Sequence, residues 1–240
     1  MSNSDSRHNE LESRLNAVRA RIDSARQQAG RSDEITLVVV TKTFPASDVE
    51  ILAHLGVRDV GENKDQEAKA KHADVRALNL RWHMIGRLQR NKAASVCRWA
   101  DVVESVDRVP VVEALADAAE RVGRSEPLGV LIQVSLDPPE RSNRGGALIT
   151  DVPVVARAIA ARPQLRLDGV MAVAPHPDTG IPAERAFAAL AEVSQELRSE
   201  WPQATAISAG MSQDLDAAIA CGATQVRIGG AILGERPSVQ

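Results

Sequence analysis

Apolar residues recur along the chain in two rhythms. Across residues 7–29, Leu11, Leu15, Val18 and Ile22 fall at helical spacing and define the apolar face of an N-terminal helix. Gly30 stands where a C-cap would. Beyond it, short apolar runs rich in β-branched residues alternate with stretches of helical period. The runs at 35–41, 59–62, 81–86, 102–106, 129–136, 167–174, 205–209 and 224–229 predict strands. The stretches at 47–55, 65–77, 91–99, 109–122, 151–161, 182–201 and 213–221 predict helices. The last of these has Ser212 as its expected N-cap and Gly222 as its C-cap. A run such as Ile35 to Thr41 is apolar on both faces, the mark of a buried parallel strand. Eight strands, each but the last followed by a helix, predict an α/β fold: a (β/α)8 TIM barrel with an extra N-terminal helix. An open doubly wound sheet would need a glycine-rich turn after an early strand, and none is present there. With no low-complexity linker and no short-period repeat, 1–240 is expected to be a single barrel domain, the polar residues 1–6 lying outside its ordered part.

Composition narrows the picture. At 240 residues, with 44% hydrophobic and 25% charged residues, the chain is ordinary for a globular protein of this class. A net charge of −3 gives no footing for nucleic acid or an anionic membrane. The two cysteines, Cys97 and Cys221, have no metal-ligand spacing and form no disulfide framework, which fits a reduced, cytoplasmic setting. The first ten residues lack the apolar core of a signal peptide, and no run is long enough to span a bilayer. The chain has no tyrosine at all, so no phenol of this polypeptide can serve as acid or base.

Candidate chemistry gathers at the strand ends. Lys42 closes the first strand, at the mouth where parallel barrels keep their active sites. It either marks the strand end and reaches water, or is a partly desolvated amine able to form a Schiff base. Two glycine-rich segments follow strands seven and eight: Ser208-Ala209-Gly210-Met211-Ser212, and Arg227-Ile228 leading into Gly229-Gly230. Loops at these two places often bind phosphate in barrels, because small residues let backbone N–H groups approach an anion. Arg227, in an apolar strand, is either salt-bridged to Glu62 or Glu104 or donates to a ligand in the barrel mouth. Asn63, after Gly61-Glu62, and His83, in Trp82-His83-Met84-Ile85-Gly86, are candidates for a cofactor's ring substituent, His83 having the alternative of a satisfied core histidine. A Schiff-base lysine beside a phosphate site suggests pyridoxal 5′-phosphate (PLP). An arginine facing the pyridine nitrogen would keep that nitrogen unprotonated and the ring a poor electron sink. No metal-ligand spacing, P-loop or Gly-x-Ser-x-Gly elbow is present.

Taken in order, several short segments resemble the PLP homeostasis protein family. They are Val39-Val40-Thr41-Lys42-Thr43, Gly61-Glu62-Asn63 with Gln66-Glu67, Trp82 to Gly86 with Leu88-Gln89 and Asn91-Lys92, Glu104 to Asp107, Gln133-Val134, Gly169 to Ala172, Gly210 to Asp214, and Val226 to Gly229. The resemblance implies a barrel like the N-terminal domain of alanine racemases and PLP held as a Schiff base on Lys42. It puts the phosphate near Ser208, Ser212, Gly229 and Gly230 and sets Arg227 by the pyridine nitrogen. It implies a protein that carries or buffers PLP for PLP-dependent client enzymes, without established turnover. The chain departs from the family at Ala209, at Lys64 in place of an aromatic, at Arg87 and Arg90 on the rim, and in the longer loop Arg141 to Gly146.

The rival function is an amino-acid racemase, which needs an acid/base group on each face of the substrate. Lys42 would serve one face. The resemblance to alanine racemase calls for a tyrosine from a second domain on the other, and this chain offers neither. A third reading is a barrel that binds another phosphorylated ligand, with Lys42 as a point charge. A monomer is expected in the absence of a second domain.

Overall fold

The computed structural model describes residues 3–138 and 144–235. Helix α1 (Asn3–Gln28) leads into β1 (Thr36–Val40), and strands then alternate with helices. The order is α2 (Ala46–His54), β2 (Asp59–Glu62), α3 (Asp65–Val75), β3 (Arg81–Met84), α4 (Ala93–Val96), β4 (Val102–Val106) and α5 (Val109–Arg121). It continues with β5 (Leu128–Gln133), α6 (Val152–Ala160), β6 (Leu165–Met171), α7 (Ala183–Glu200), β7 (Ala206–Ser208), α8 (Leu215–Ala220), β8 (Gln225–Ile228) and α9 (Gly230–Leu233). The eight strands pair in parallel in chain order, and β8 closes onto β1. This is the TIM barrel that the alternating periods predict.

The expected and observed elements differ at their ends, for local reasons. α1 starts at Asn3, inside the segment expected to lie outside the ordered part, with Asp5 in its first turn where the helix dipole favours an anion. Strand one stops at Val40, so Thr41 and Lys42 belong to a turn and not to the strand. The helix expected at 91–99 is a 3₁₀ turn, Arg90–Lys92, followed by the single turn of α4. Asp214, not Ser212, precedes the first residue of α8. The last strand does have a helix after it: α9 turns Ile232 and Leu233 inward, where both are buried.

The main core lies between the barrel and its helical jacket. Leu11, Leu15, Val18 and Ile22 of α1 are buried in it, as their spacing requires. Trp82 of β3 packs edge-on against Trp99, ring centroids 6.3 Å apart, and Trp99 Nε1 donates to Asp65 Oδ1 at 3.0 Å, which ties the β3 corner to the start of α3. Val102, Leu131 and Met171 form a separate small cluster. Strand alternation puts Val102 on the face of β4 opposite Val103, which packs in the outer core, so this second cluster faces the barrel interior. Among the described residues no helix is long and apolar enough to cross a membrane.

Glycine is required where β6 meets β7. Gly169 has φ +152°, and a Cβ there would run into the backbone of Ala206. Gly169→Ala should destabilise the chain by about 2–3 kcal/mol, read as a fall in the thermal unfolding midpoint. A midpoint unchanged from the parent would refute this close approach.

Candidate functional site

The barrel interior holds charge where such barrels usually hold bulky aliphatic side chains. His83, Glu104 and Ser208 are fully buried and Arg227 nearly so. Their side chains form one chain of hydrogen bonds. His83 Nε2 lies 2.9 Å from Asp59 Oδ1 and His83 Nδ1 lies 2.7 Å from Glu104 Oε1. Ser208 Oγ donates to Glu104 Oε2 at 2.6 Å and accepts from Arg227 Nη1 at 2.7 Å. Arg227 Nη2 ends the chain on the Ala172 carbonyl at 2.8 Å, just past β6. Burial alone would lower the His83 pKa. The hydrogen bonds to Asp59 and Glu104, and their charges, outweigh it and push the group up to about 9. The imidazolium then donates from both nitrogens. Burial likewise raises the Glu104 carboxyl, but His83, Arg227 and Ser208 together hold it below its ordinary value.

This settles what several expected site residues touch. Both ring nitrogens of His83 are taken up by carboxylates, Asp59 and Glu104, as in the core-histidine alternative. Arg227 pairs with Glu104, one of the two partners expected, with Nη1 3.8 Å from Oε2. The hydroxyl of Ser208 donates to Glu104 and accepts from Arg227, so its side chain braces the guanidinium.

At the mouth, Lys42 and Gly229-Gly230 come together. They line a pocket of about 270 Å³ with Val40, Phe44, Gly234 and Glu235. Lys42 is half-buried. A Cβ on Gly230 would meet nothing within 4 Å, whereas one on Gly229 would press on the Val40 carbonyl at 3.0 Å; the backbone of β8 thus passes close to the end of β1. Gly210, Met211 and Ser212 occupy the neighbouring loop, joined to β8 by the Arg227 N–H donating to the Gly210 carbonyl at 2.9 Å. Gly210 has φ +95°, and a Cβ there would lie 2.8 Å from Ala218 Cβ, so packing under α8 also demands the glycine. The Met211 N–H is held by Asp214 Oδ1 at 2.6 Å. Asn63 is placed on the rim by Gly86, whose missing side chain lets the Asn63 backbone cross above β3. It lines a separate depression with Lys64, Arg87 and Lys92. Arg141, Ser142 and Asn143 of the long rim loop lie outside the described residues.

One group of residues escaped the sequence reading. Lys71 on α3 is buried and bonds Glu62 Oε1 at 2.7 Å, Glu67 Oε1 at 2.6 Å and the Thr41 carbonyl at 2.7 Å. Glu62 Oε2 is buried without a hydrogen-bond partner, and burial raises the Glu62 carboxyl despite Lys71 and Thr41. In the sequence, Glu67 and Lys71 look like an ordinary solvated i,i+4 pair. Glu67 stood out only as part of a family segment.

Residues 13–237 match the family model of the alanine racemase N-terminal domain. Over 96% of this chain and 94% of its own length, a pyridoxal phosphate homeostasis protein of Mycobacterium bovis is 41% identical. The chain belongs to the pyridoxal phosphate homeostasis protein family. Among solved structures similar to this family member is PipY of Synechococcus elongatus with PLP bound, at a TM-score of 0.81 and 30% identity, covering 93% of this chain and 100% of that one. Alanine racemase of Corynebacterium glutamicum superposes with a TM-score of 0.67 at 16% identity, over 94% of this chain and 63% of that one. That is a likeness of fold alone.

Because the His83 pKa is raised on folding, its contribution to stability is fully present below its unfolded value of about 6.5 and is lost as pH rises through about 9. The loss should approach roughly 3 kcal/mol. Thermal melts from pH 6 to 9 should show that decline in the parent and a much shallower one in His83→Gln over the same window. Parallel curves would show that His83 is not protonated in the fold.

Proposed function

We propose that this chain binds PLP reversibly at the barrel mouth, with Lys42 as the covalent attachment point, and acts as a carrier or buffer of the cofactor. The observation that carries the reading is the pocket that sets Lys42 beside Gly229 and Gly230. The residues present suit the group: an amine for its aldehyde, glycine backbone for its phosphate, and a buried guanidinium in the adjacent strand. When bound, PLP supplies an electrophilic carbonyl and an electron-withdrawing ring.

The chain's own residues favour holding over turnover. Gly229 and Gly230 would hold the phosphate, with the neighbouring Gly210 to Ser212 loop closing that side once the Met211 N–H leaves Asp214, and Asn63 would reach a ring substituent from the adjoining rim. Arg227, anchored by Ser208 and Glu104, would sit by the pyridine nitrogen, where its charge opposes protonation and weakens the ring as an electron sink. A racemase also needs a second acid/base group. His83 is sealed between two carboxylates and the chain has no tyrosine. Such a buffer would work in the cytoplasm, as a monomer handing PLP to client enzymes; both cysteines are free thiols, in keeping with a reduced setting.

Added PLP should give the purified protein a visible absorbance band, and borohydride reduction should leave an adduct that peptide mass analysis maps to Lys42. Lys42→Ala should lose band and adduct while melting within a few degrees of the parent, since Lys42 lies in a turn and outside the packed core. A mapped adduct elsewhere would reject Lys42. Exchange of the alanine α-hydrogen at enzymatic rates would favour the racemase.

A further inference from the structure

The chain reverses direction immediately after β1, and Lys42 sits on that bend. The Thr41 carbonyl accepts the Phe44 N–H at 3.1 Å, so Lys42 and Thr43 are the two central residues of a four-residue turn. Thr43 has φ +71°, the one left-handed backbone among described residues other than glycine. That position of such a turn normally takes glycine or asparagine, and a β-branched side chain is disfavoured there. Something outside the turn must hold it.

The residues on either side of Lys42 are both held. Before it, the Thr41 hydroxyl donates to Glu62 Oε1 at 2.6 Å and the Thr41 carbonyl accepts from Lys71 Nζ at 2.7 Å. After it, the Thr43 N–H donates to Glu67 Oε1. All three bonds converge on Lys71, whose ammonium also meets Glu62 Oε1 at 2.7 Å and Glu67 Oε1 at 2.6 Å. Its three protons have three acceptors, so the ammonium is geometrically saturated. Lys71 is 6% exposed and Glu62 fully buried, where an ion pair is screened little by solvent.

We propose that Lys71, Glu67 and Glu62 form a positioning cluster that holds the Thr41–Phe44 turn in its left-handed geometry and so aims Lys42 into the mouth. The proposal deepens the reading of Lys42 as the PLP attachment point and rests on it. The cluster itself does not touch the cofactor. Its effect passes through the backbone of the residues before and after Lys42, so losing it should misplace the amine without emptying the pocket. A cluster that merely fastened α3 to the sheet would have no reason to grip Thr41 and Thr43.

The test uses the full-length chain and replaces Glu67, which is partly exposed, instead of Lys71, whose loss would leave a buried charge. In Glu67→Ala, exchange of the Thr43 amide hydrogen, followed by NMR without PLP, should quicken about tenfold or more. PLP affinity should fall on the order of tenfold, as expected for a displaced reacting group. Glu67→Gln keeps an acceptor and should lose less. Adding Thr43→Gly to Glu67→Ala should recover most of the lost affinity, because glycine takes the left-handed conformation unaided. A purely structural Glu67 predicts no such rescue. Unchanged Thr43 exchange in Glu67→Ala, or no recovery in the double variant, would overturn the proposal. Failure of the parent to bind PLP would remove the functional reading, while the exchange data would still report on the turn.

Discussion

The charges inside the barrel constrain everything around them. Asp59, His83, Glu104 and Arg227 place two anions and two cations in a space that barrels usually fill with aliphatic side chains. Burying an unpaired ion costs several kcal/mol, so each must meet its partner with good geometry. They do so as one continuous chain, Asp59 to His83 to Glu104 to Ser208 to Arg227, at distances of 2.6–2.9 Å. The sum is neutral only if His83 is protonated, and its raised pKa provides that. Strands β2, β3, β4, β7 and β8 each contribute one link, so the chain fixes their mutual height. The guanidinium of Arg227 is thereby held near the barrel mouth in one orientation.

A second buried ionic group, around Lys71, lies between α3 and the end of β2 and bonds the residue that follows β1. The two groups divide the labour. One sets a cation in the strand that adjoins the glycine loops. The other braces the turn that carries the amine. Neither group lines the pocket itself, whose wall combines Lys42 and Phe44 with the glycines after β8. A pocket so built suits a compact anionic ligand with a reactive carbonyl. The histidine that might have served as a second proton-transfer group in racemisation has both ring nitrogens bonded within the ionic chain.

Hydrophobic period made the barrel legible, because parallel strands buried on both faces read as continuous apolar runs and the helices between them carry an apolar stripe. Element ends were less legible. Strand one stops at Val40 because the next residues are drawn into a turn by partners on α3, more than twenty residues away in sequence. Ser212 looked like a helix cap from its type and place, yet the loop tightens around Asp214, and α8 begins two residues later than expected. The short α9 was missed because its glycines resemble a loop, and only Ile232 and Leu233, packed inward, reveal why it coils.

The sequence by itself determined the barrel, the place of Lys42 at a strand end and the glycine-rich loops after strands seven and eight, since these follow from residue type and local spacing. It also left Arg227 a choice between Glu62 and Glu104. Only the tertiary structure decided for Glu104, turned Ser208 inward and joined His83 to Asp59. It alone brought Lys71 to Thr41. Each of these is a contact between side chains on different strands or on a strand and a distant helix, and burial, which gives such contacts their strength, is a property of the folded whole that no local pattern encodes.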